Sequence, residues 1–158
     1  MILVAMRHAH AAPMDEPSGD HGRPLDTRGR LEAREIGGAL ASRDLLPDLV
    51  LCSDARRARE TWERMEGAFG RAIPSLYLPG FYVRGLDSAL ESLAGVQAST
   101  VLVVGHNPDW EHLAFTLTGI GTPMSPATAV VMEIGAPSWR IAVTLAGRWR
   151  LRDVVRAM

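Results

Sequence analysis

An apolar run, Ile2-Leu3-Val4-Ala5-Met6, leads directly into Arg7-His8-Ala9-His10. A buried strand ending this way presents a permanent cation beside an imidazole. The arginine's planar fork matches phosphate oxygens. An imidazole near neutral pH is a nucleophile, a general acid or base, or a metal ligand. Two further segments repeat the pattern: Leu49-Val50-Leu51-Cys52 runs into Ser53-Asp54-Ala55-Arg56-Arg57, and Thr100-Val101-Leu102-Val103-Val104 runs into Gly105-His106-Asn107-Pro108. In open α/β sheets ligands bind outside the carboxyl ends of the strands, so parallel strands would deliver all three sets to one edge. The helix N-termini that follow carry unpaired N–H groups and positive partial charge, which suit phosphate. Arg7, His8, Arg57 and His106 are therefore the candidates for an anion-handling site. Arg56 and Arg57 point in different directions on a helix, so one of them is expected in the pocket.

A metal site is the competing reading. His8-x-His10 has the spacing of some metallohydrolase ligands, with His106, Asp20 and His21 as available additions. Such a pair shares a side only if the strand continues through both residues, and an arginine beside a cation is unfavourable. No metal or other cofactor is expected. His10 and His112 read as incidental, and helix capping accounts for Ser53 and Asn107.

The elements that must position these residues follow from the pattern. Residues 2–6 read as a central strand buried on both faces. Residues 11–26, rich in Pro, Gly, Asp and Ser, form a long loop of the kind that is usually functional. Ala33, Ile36 and Leu40 recur at helical spacing over residues 27–42. A second strand at 49–52 precedes a helix that starts at Ser53-Asp54 and carries Ala58, Trp62, Met65 and Phe69 on one face. Residues 75–78 form a short strand broken by Pro79-Gly80, and Asp87 caps the next helix. The β-branched run 100–104 is the clearest strand. After it, Asn107 as N-cap and Pro108 at the first helical position open a helix to about Thr118. Residues 127–134 and 139–145 read as a hairpin; the tail 147–158 mixes Arg with apolar residues and carries no assignment. Trp139 and Trp149 are expected in the core. Alternating strands and helices make the fold class α/β with a mostly parallel sheet and an antiparallel edge. Residues 1–158 are expected to form one domain.

Composition removes other functions. All 17 basic residues are Arg, so neither a Walker-type phosphate loop nor a lysine Schiff base is available. A net charge of -1 provides no general basic field for nucleic acid. The single cysteine, Cys52, rules out an internal disulfide and multi-cysteine metal sites, and its apolar setting makes it a small core residue. No apolar stretch approaches the ~18 residues of a membrane span, and the six residues before Arg7 are too few for a signal-peptide core. A cytoplasmic protein is expected.

Arg7-His8-Ala9 after the first strand, Ser53-x-x-x-Arg57-Ala58-x-x-Thr61 after the second, and Gly105-His106-Asn107-Pro108 after the fourth together resemble the histidine phosphatase (phosphoglycerate mutase-like) superfamily. Gly22-Arg23-Pro24-Leu25-x-x-Arg28-Gly29 extends the resemblance, while Ala9 stands where Gly is commoner. The resemblance implies a three-layer α/β/α fold around a mostly parallel sheet. It implies His8 as the nucleophile that accepts the phosphoryl group, with Arg7, Arg57 and His106 holding the phosphoryl oxygens and Arg23 as a further phosphate ligand from the long loop. Only about 40 residues separate Arg57 from the fourth strand, which leaves little material for a lid. The compact form resembles the SixA-type phosphohistidine phosphatases, so a phosphohistidine on a protein partner is the expected substrate. Many members supply a Glu or Asp after the third strand as general acid; Leu78-Pro79-Gly80-Phe81-Tyr82-Val83-Arg84 contains none. A nitrogen leaving group tolerates that loss, or Asp15, Glu16 or Asp20 on the long loop supplies the proton. The rivals are a phosphatase of small phosphate esters or nucleotides and a phosphate- or phosphoprotein-binding module without turnover.

Overall fold

The structure, a computed structural model, describes residues 1–15 and 17–158. Its strands are β1 (Ile2–Arg7), β2 (Leu49–Ser53), β3 (Ser75–Leu78), β4 (Thr100–Gly105), β5 (Thr128–Glu133) and β6 (Arg150–Arg156). The helices are α1 (Thr27–Ser42), α2 (Arg56–Met65), α3 (Gly80–Val83), α4 (Leu86–Ala94), α5 (Asp109–Thr118) and α6 (Trp139–Ala142), with a 3-10 turn at Glu66–Phe69 continuing α2. One sheet runs in the order β3-β2-β4-β1-β5-β6. β3, β2, β4 and β1 are parallel, and β5 and β6 run antiparallel to their neighbours.

Alternation along the strands divides the core in two. Val4, Met6, Val50, Cys52, Leu102 and Val104 face α1 and α2, where Ile36, Leu40, Trp62 and Met65 cover them. Leu3, Ala5, Leu51, Val101 and Val103 face the opposite layer, built from Phe81, Leu93, Trp110, Leu113 and Trp139. Helices on both faces make the α/β/α arrangement that the resemblance implied. Each fully buried Val, Leu, Ile, Phe or Met side chain contributes about 1.5–3 kcal/mol relative to exposure, and β4 carries four such residues in succession, Val101 to Val104. Cys52 is buried in this core, and desolvation pushes its thiol up, out of reactive range.

α1 spans the predicted residues, and Asp26 caps it by accepting from the Gly29 N–H at 2.8 Å. Three other helix starts differ from the expectation. α2 begins after Ala55 with no side-chain cap; the Arg56 N–H is taken by the His21 carbonyl of the long loop. Gly85, at φ 53°, precedes α4, and Asp109 rather than Asp87 accepts from the Leu86 N–H. Pro108 lies just before α5 behind a cis peptide bond, and Asn107 does not cap the helix.

The predicted hairpin is also corrected. β5 forms, but residues 139–145 hold the short helix α6, because Ser138 accepts from the Ile141 N–H and closes a helical turn. The strand that pairs with β5 is β6, in the unassigned tail. Trp139 and Trp149 are core residues, their indole N–H groups donated to the carbonyls of Ala98 and Ala142. Among the described residues no helix is long and apolar enough to cross a membrane.

Candidate active site

β1, β2 and β4 end side by side, with Arg7 in register with Gly105. The side chains just beyond those ends, with the long loop, line a pocket of about 290 Å³: Arg7, His8, His10, Ala11, Arg23, Arg57, His106, Asn107 and Pro126. The five residues singled out from the sequence, Arg7, His8, Arg23, Arg57 and His106, thus meet at one cavity. Arg56 points outward and pairs with Glu60.

His8 is nearly buried and its protonation is set by two neighbours. The ring Nδ1 lies 2.7 Å from the Ala9 carbonyl, which can only accept, so Nδ1 carries the hydrogen. Nε2 is then a lone-pair nitrogen, and Arg57 Nε donates to it at 3.2 Å. Burial, reinforced by His106, Arg57 and Arg7, lowers the His8 pKa to about 3 despite the Ala9 carbonyl. His106 stands 5.3 Å from His8 between ring centres. Burial and then Arg57 lower its pKa to about 4, and its Nε2 lies 2.7 Å from Ser53 Oγ. Three buried polar atoms of the pocket residues have no partner: Arg7 Nε, His106 Nδ1 and Asn107 Oδ1. A buried polar atom without a partner costs about 1–3 kcal/mol, so the site is built to be completed.

Small polar residues fasten these groups to one another. Thr61 accepts from the Ala9 N–H at 3.0 Å and donates to the Arg57 carbonyl at 2.7 Å, tying α2 to the segment after β1. Arg7 Nη1 donates to the Met124 carbonyl, which also accepts from Asn107 Nδ2. Glu111 accepts from Asn107 Nδ2 and from the Met124 N–H, closing the bracket. Sequence reasoning attributed Ser53 and Asn107 to capping and gave Thr61 no role. The four-residue step from Arg57 to Thr61, one helical turn along α2, was the available signal.

His10, set aside from sequence, lines the pocket wall, with its ring fastened to Asp26 and its N–H taken by Glu32. Among the described residues no three His, Cys, Asp or Glu side chains converge as metal ligands. Of the three loop acids considered as proton donors, Glu16 lies outside the described residues and Asp15 is exposed. Asp20 is in contact with the site. The Tyr82 hydroxyl, with Arg23 and Arg57, holds its carboxyl down at about 2, so it carries charge rather than a proton near neutrality. Tyr82, missed from sequence, sits 5.5 Å from the His106 ring.

Residues 3–82 match the model of the histidine phosphatase superfamily, branch 1. An uncharacterized protein of Mycobacterium tuberculosis is 37% identical, the match covering 91% of this chain and 89% of the relative. The structure of a "putative phosphohistidine phosphatase SixA" from Agrobacterium tumefaciens superposes with a TM-score of 0.84 at 27% identity, over 98% of this chain and 96% of that one. A protein of the same description from Nakamurella multipartitia gives 0.84 at 30% identity, over 99% and 95%. Three arginines surround a neutral histidine in this pocket, and the chain belongs to the histidine phosphatase superfamily, branch 1, as a phosphatase.

Proposed function

We propose that this phosphatase hydrolyses phosphohistidine on a protein partner, through a covalent phosphoryl intermediate on its own His8, with residues 1–158 acting as one catalytic domain. The observation that carries the reading is the His8 ring: Nδ1–H is committed to the Ala9 carbonyl, and the lone pair on Nε2 faces a pocket lined by Arg7, Arg23 and Arg57.

In the first step the Nε2 lone pair forms a bond to phosphorus as the substrate's bond to its leaving atom breaks, and that bond's electron pair departs with the leaving group. In the second step water forms a P–O bond, the P–N bond breaks and its electron pair returns to Nε2. Inorganic phosphate leaves, and the water's surplus proton passes to phosphate or solvent. Arg7, Arg57 and Arg23 counter the charge on the phosphoryl oxygens, and His106 Nδ1 adds a donor when Ser53 supplies its hydroxyl hydrogen to Nε2. Phosphoryl transfer asks chiefly for positioning and electrostatic stabilisation, which this set of side chains provides.

Support for a protein-borne substrate comes from the segment between β3 and β4, where only α3 and α4 intervene and little chain is left to cover a small molecule. The two SixA-described neighbours above 25% identity point the same way. The test compares hydrolysis of a phosphohistidine protein with a panel of sugar phosphates, nucleotides and aryl phosphates. The expected outcome is a kcat/KM at least about tenfold higher for the phosphohistidine protein, a difference of about 1.4 kcal/mol in the barrier. Preference for any ester would replace this reading with that of a small-molecule phosphatase.

A pH profile tests the nucleophile's protonation state. With His8 near 3 and His106 near 4, kcat/KM is expected to stay flat as pH falls through about 6.5, the ordinary histidine value, and to decline only as it nears 4. An acid limb centred at the ordinary value would contradict a preformed neutral His8. Stability follows the same sign. Between the folded values and about 6.5 the unfolded chain binds more protons, so the fold loses stability as pH falls through that window.

A further inference from the structure

Asp20 lies in the long loop between β1 and α1, and its carboxylate gathers three donors. The Tyr82 hydroxyl donates to Oδ2 at 2.7 Å, Arg57 Nη2 reaches the same oxygen at 3.2 Å, and Arg23 Nη1 donates to Oδ1 at 3.0 Å. The Asp20 carbonyl takes Arg57 Nη1 at 2.7 Å. An ionised carboxylate accepts at about four lone-pair positions, so one position on Oδ1 stays open. The side chain is 43% exposed, so a ligand can reach that position. The guanidinium that holds Asp20 also donates from Nε to His8 Nε2. The carboxylate therefore lies across Arg57 from the nucleophile. Flat rings border it: Tyr82 stands edge-on to His21 at 4.9 Å and to His106 at 5.5 Å.

Other nearby carboxylates are occupied elsewhere. Asp26 caps Gly29 and holds His10, Asp54 pairs with His21, and Glu111 is committed to Asn107 and Met124. Asp20 is the described carboxylate that joins two of the pocket's arginines and still has an open acceptor position.

Resting on the phosphohistidine reading, we propose that Asp20 selects the leaving group: the open acceptor position on Oδ1, beside Arg23, takes the N–H of a departing imidazole, and the carboxylate disfavours a departing oxygen. A phosphorylated imidazole is reactive when its second nitrogen carries a proton. His8 Nε2 forms the new P–N bond as the old one breaks, and the electron pair of the old bond stays on the departing nitrogen. The other nitrogen keeps its proton, so the ring leaves neutral, and Asp20 accepts that N–H without giving up a proton. An alkyl ester makes the opposite demand. Its electron pair leaves on oxygen as an alkoxide that requires a proton, and an ionised carboxylate has none to give and repels the developing charge. The selector is thus an acceptor for a ring N–H that no departing alkoxide carries.

The test measures kcat/KM for phosphoimidazole and for p-nitrophenyl phosphate in the wild type and in Asp20→Asn. The amide keeps the volume, removes the charge and can place an N–H where the leaving ring's own N–H needs an acceptor. The ratio of the two constants is expected to fall at least about tenfold, the scale of one charge-assisted hydrogen bond, with the loss falling mainly on phosphoimidazole. Vanadate binding reports whether the arginine cradle is intact and is expected to change by less than that factor. Asp20→Glu keeps the charge and is expected to keep the wild-type preference, which provides a second test if the asparagine variant does not fold. Equal losses on both substrates would overturn the selector role and leave the phosphatase reading standing, since Asp20 would then only orient arginines. A wild-type enzyme that turned over neither probe would overturn both.

Discussion

His8→Ala is expected to lower kcat by about four orders of magnitude or more, the scale seen when an enzyme's covalent nucleophile is removed, while vanadate and tungstate still bind. The two effects separate because they rest on different groups. Chemistry needs a lone pair at the position of His8 Nε2: the His106 ring stands 5.3 Å away with its Nε2 at Ser53 Oγ, the His10 ring is fastened to Asp26, and the pocket arginines have no lone pair to offer. Anion binding rests on Arg7, Arg23 and Arg57, each anchored independently of the imidazole. Arg7 is fixed to the Met124 carbonyl, Arg23 to the Ala12 carbonyl and Asp20, and Arg57 to both the carbonyl and the carboxylate of Asp20. Loss of the ring removes one acceptor from Arg57 Nε and opens space beside it, so that nitrogen becomes available to the ligand. Calorimetric titration with vanadate should therefore give a Kd within about tenfold of the wild type, about 1.4 kcal/mol. Acid-labile, alkali-stable label from a phosphorylated substrate should be trapped on the wild-type chain and be absent from the variant. Normal turnover by His8→Ala would end the covalent mechanism; lost vanadate binding would mean that His8 shapes the cradle.

How much of this was legible in the sequence depended on what kind of interaction decided each element. The apolar strands with Arg7, His8, Arg57 and His106 at their ends were readable because burial on both faces leaves an unbroken hydrophobic run. The turn from strand to pocket then falls at the first polar residue. α1 was readable because its apolar period is clean. β6 was not, since Arg150-Leu151-Arg152-Asp153-Val154-Val155-Arg156 is an edge strand whose charged side chains face water. Its hydrogen-bonding partner, β5, rather than its own pattern, decides its conformation. α6 was misread as a strand for the converse reason: apolar residues at 139–145 suggest a strand, but burial of the Trp139 ring and the Ser138 cap select a helical turn. In the site, charges were easier to find than fasteners. Thr61, Ser53 and Tyr82 act through hydrogen bonds to residues far away in sequence, and an isolated hydroxyl carries no periodic signature.

One fastener can be tested through its sign. Gly29→Ala is expected to destabilise the fold by about 3 kcal/mol, at the upper end for overpacking a buried position, whereas Gly38→Ala in the same helix should stabilise it by about 0.5–1 kcal/mol, as helix propensity alone dictates. Both glycines lie within α1, so a model based on helix propensity predicts gain at each. A Cβ on Gly38 meets nothing within 4 Å. A Cβ on Gly29 would fall 1.9 Å from the His10 carbonyl oxygen and 3.0 Å from the His10 nitrogen. Both are backbone atoms, so no side chain can swing aside, and α1 must withdraw by about 1 Å to restore contact distance. That movement breaks a joint rather than a surface contact. The Asp26 N–H donates to the same His10 carbonyl, Asp26 caps Gly29, and the His10 ring is held by Asp26, all two residues from His8. Misplacing catalytic groups by an ångström costs about 10²-fold in rate, so Gly29→Ala should also lose activity under conditions where it remains folded. Thermal denaturation should show a drop of about 6–12 °C for Gly29→Ala and a small rise for Gly38→Ala, with the activity loss confined to the first. Equal stabilisation by both substitutions would mean that α1 is free to move off the His8 segment, and the glycine of the Gly22–Gly29 stretch would then need another explanation.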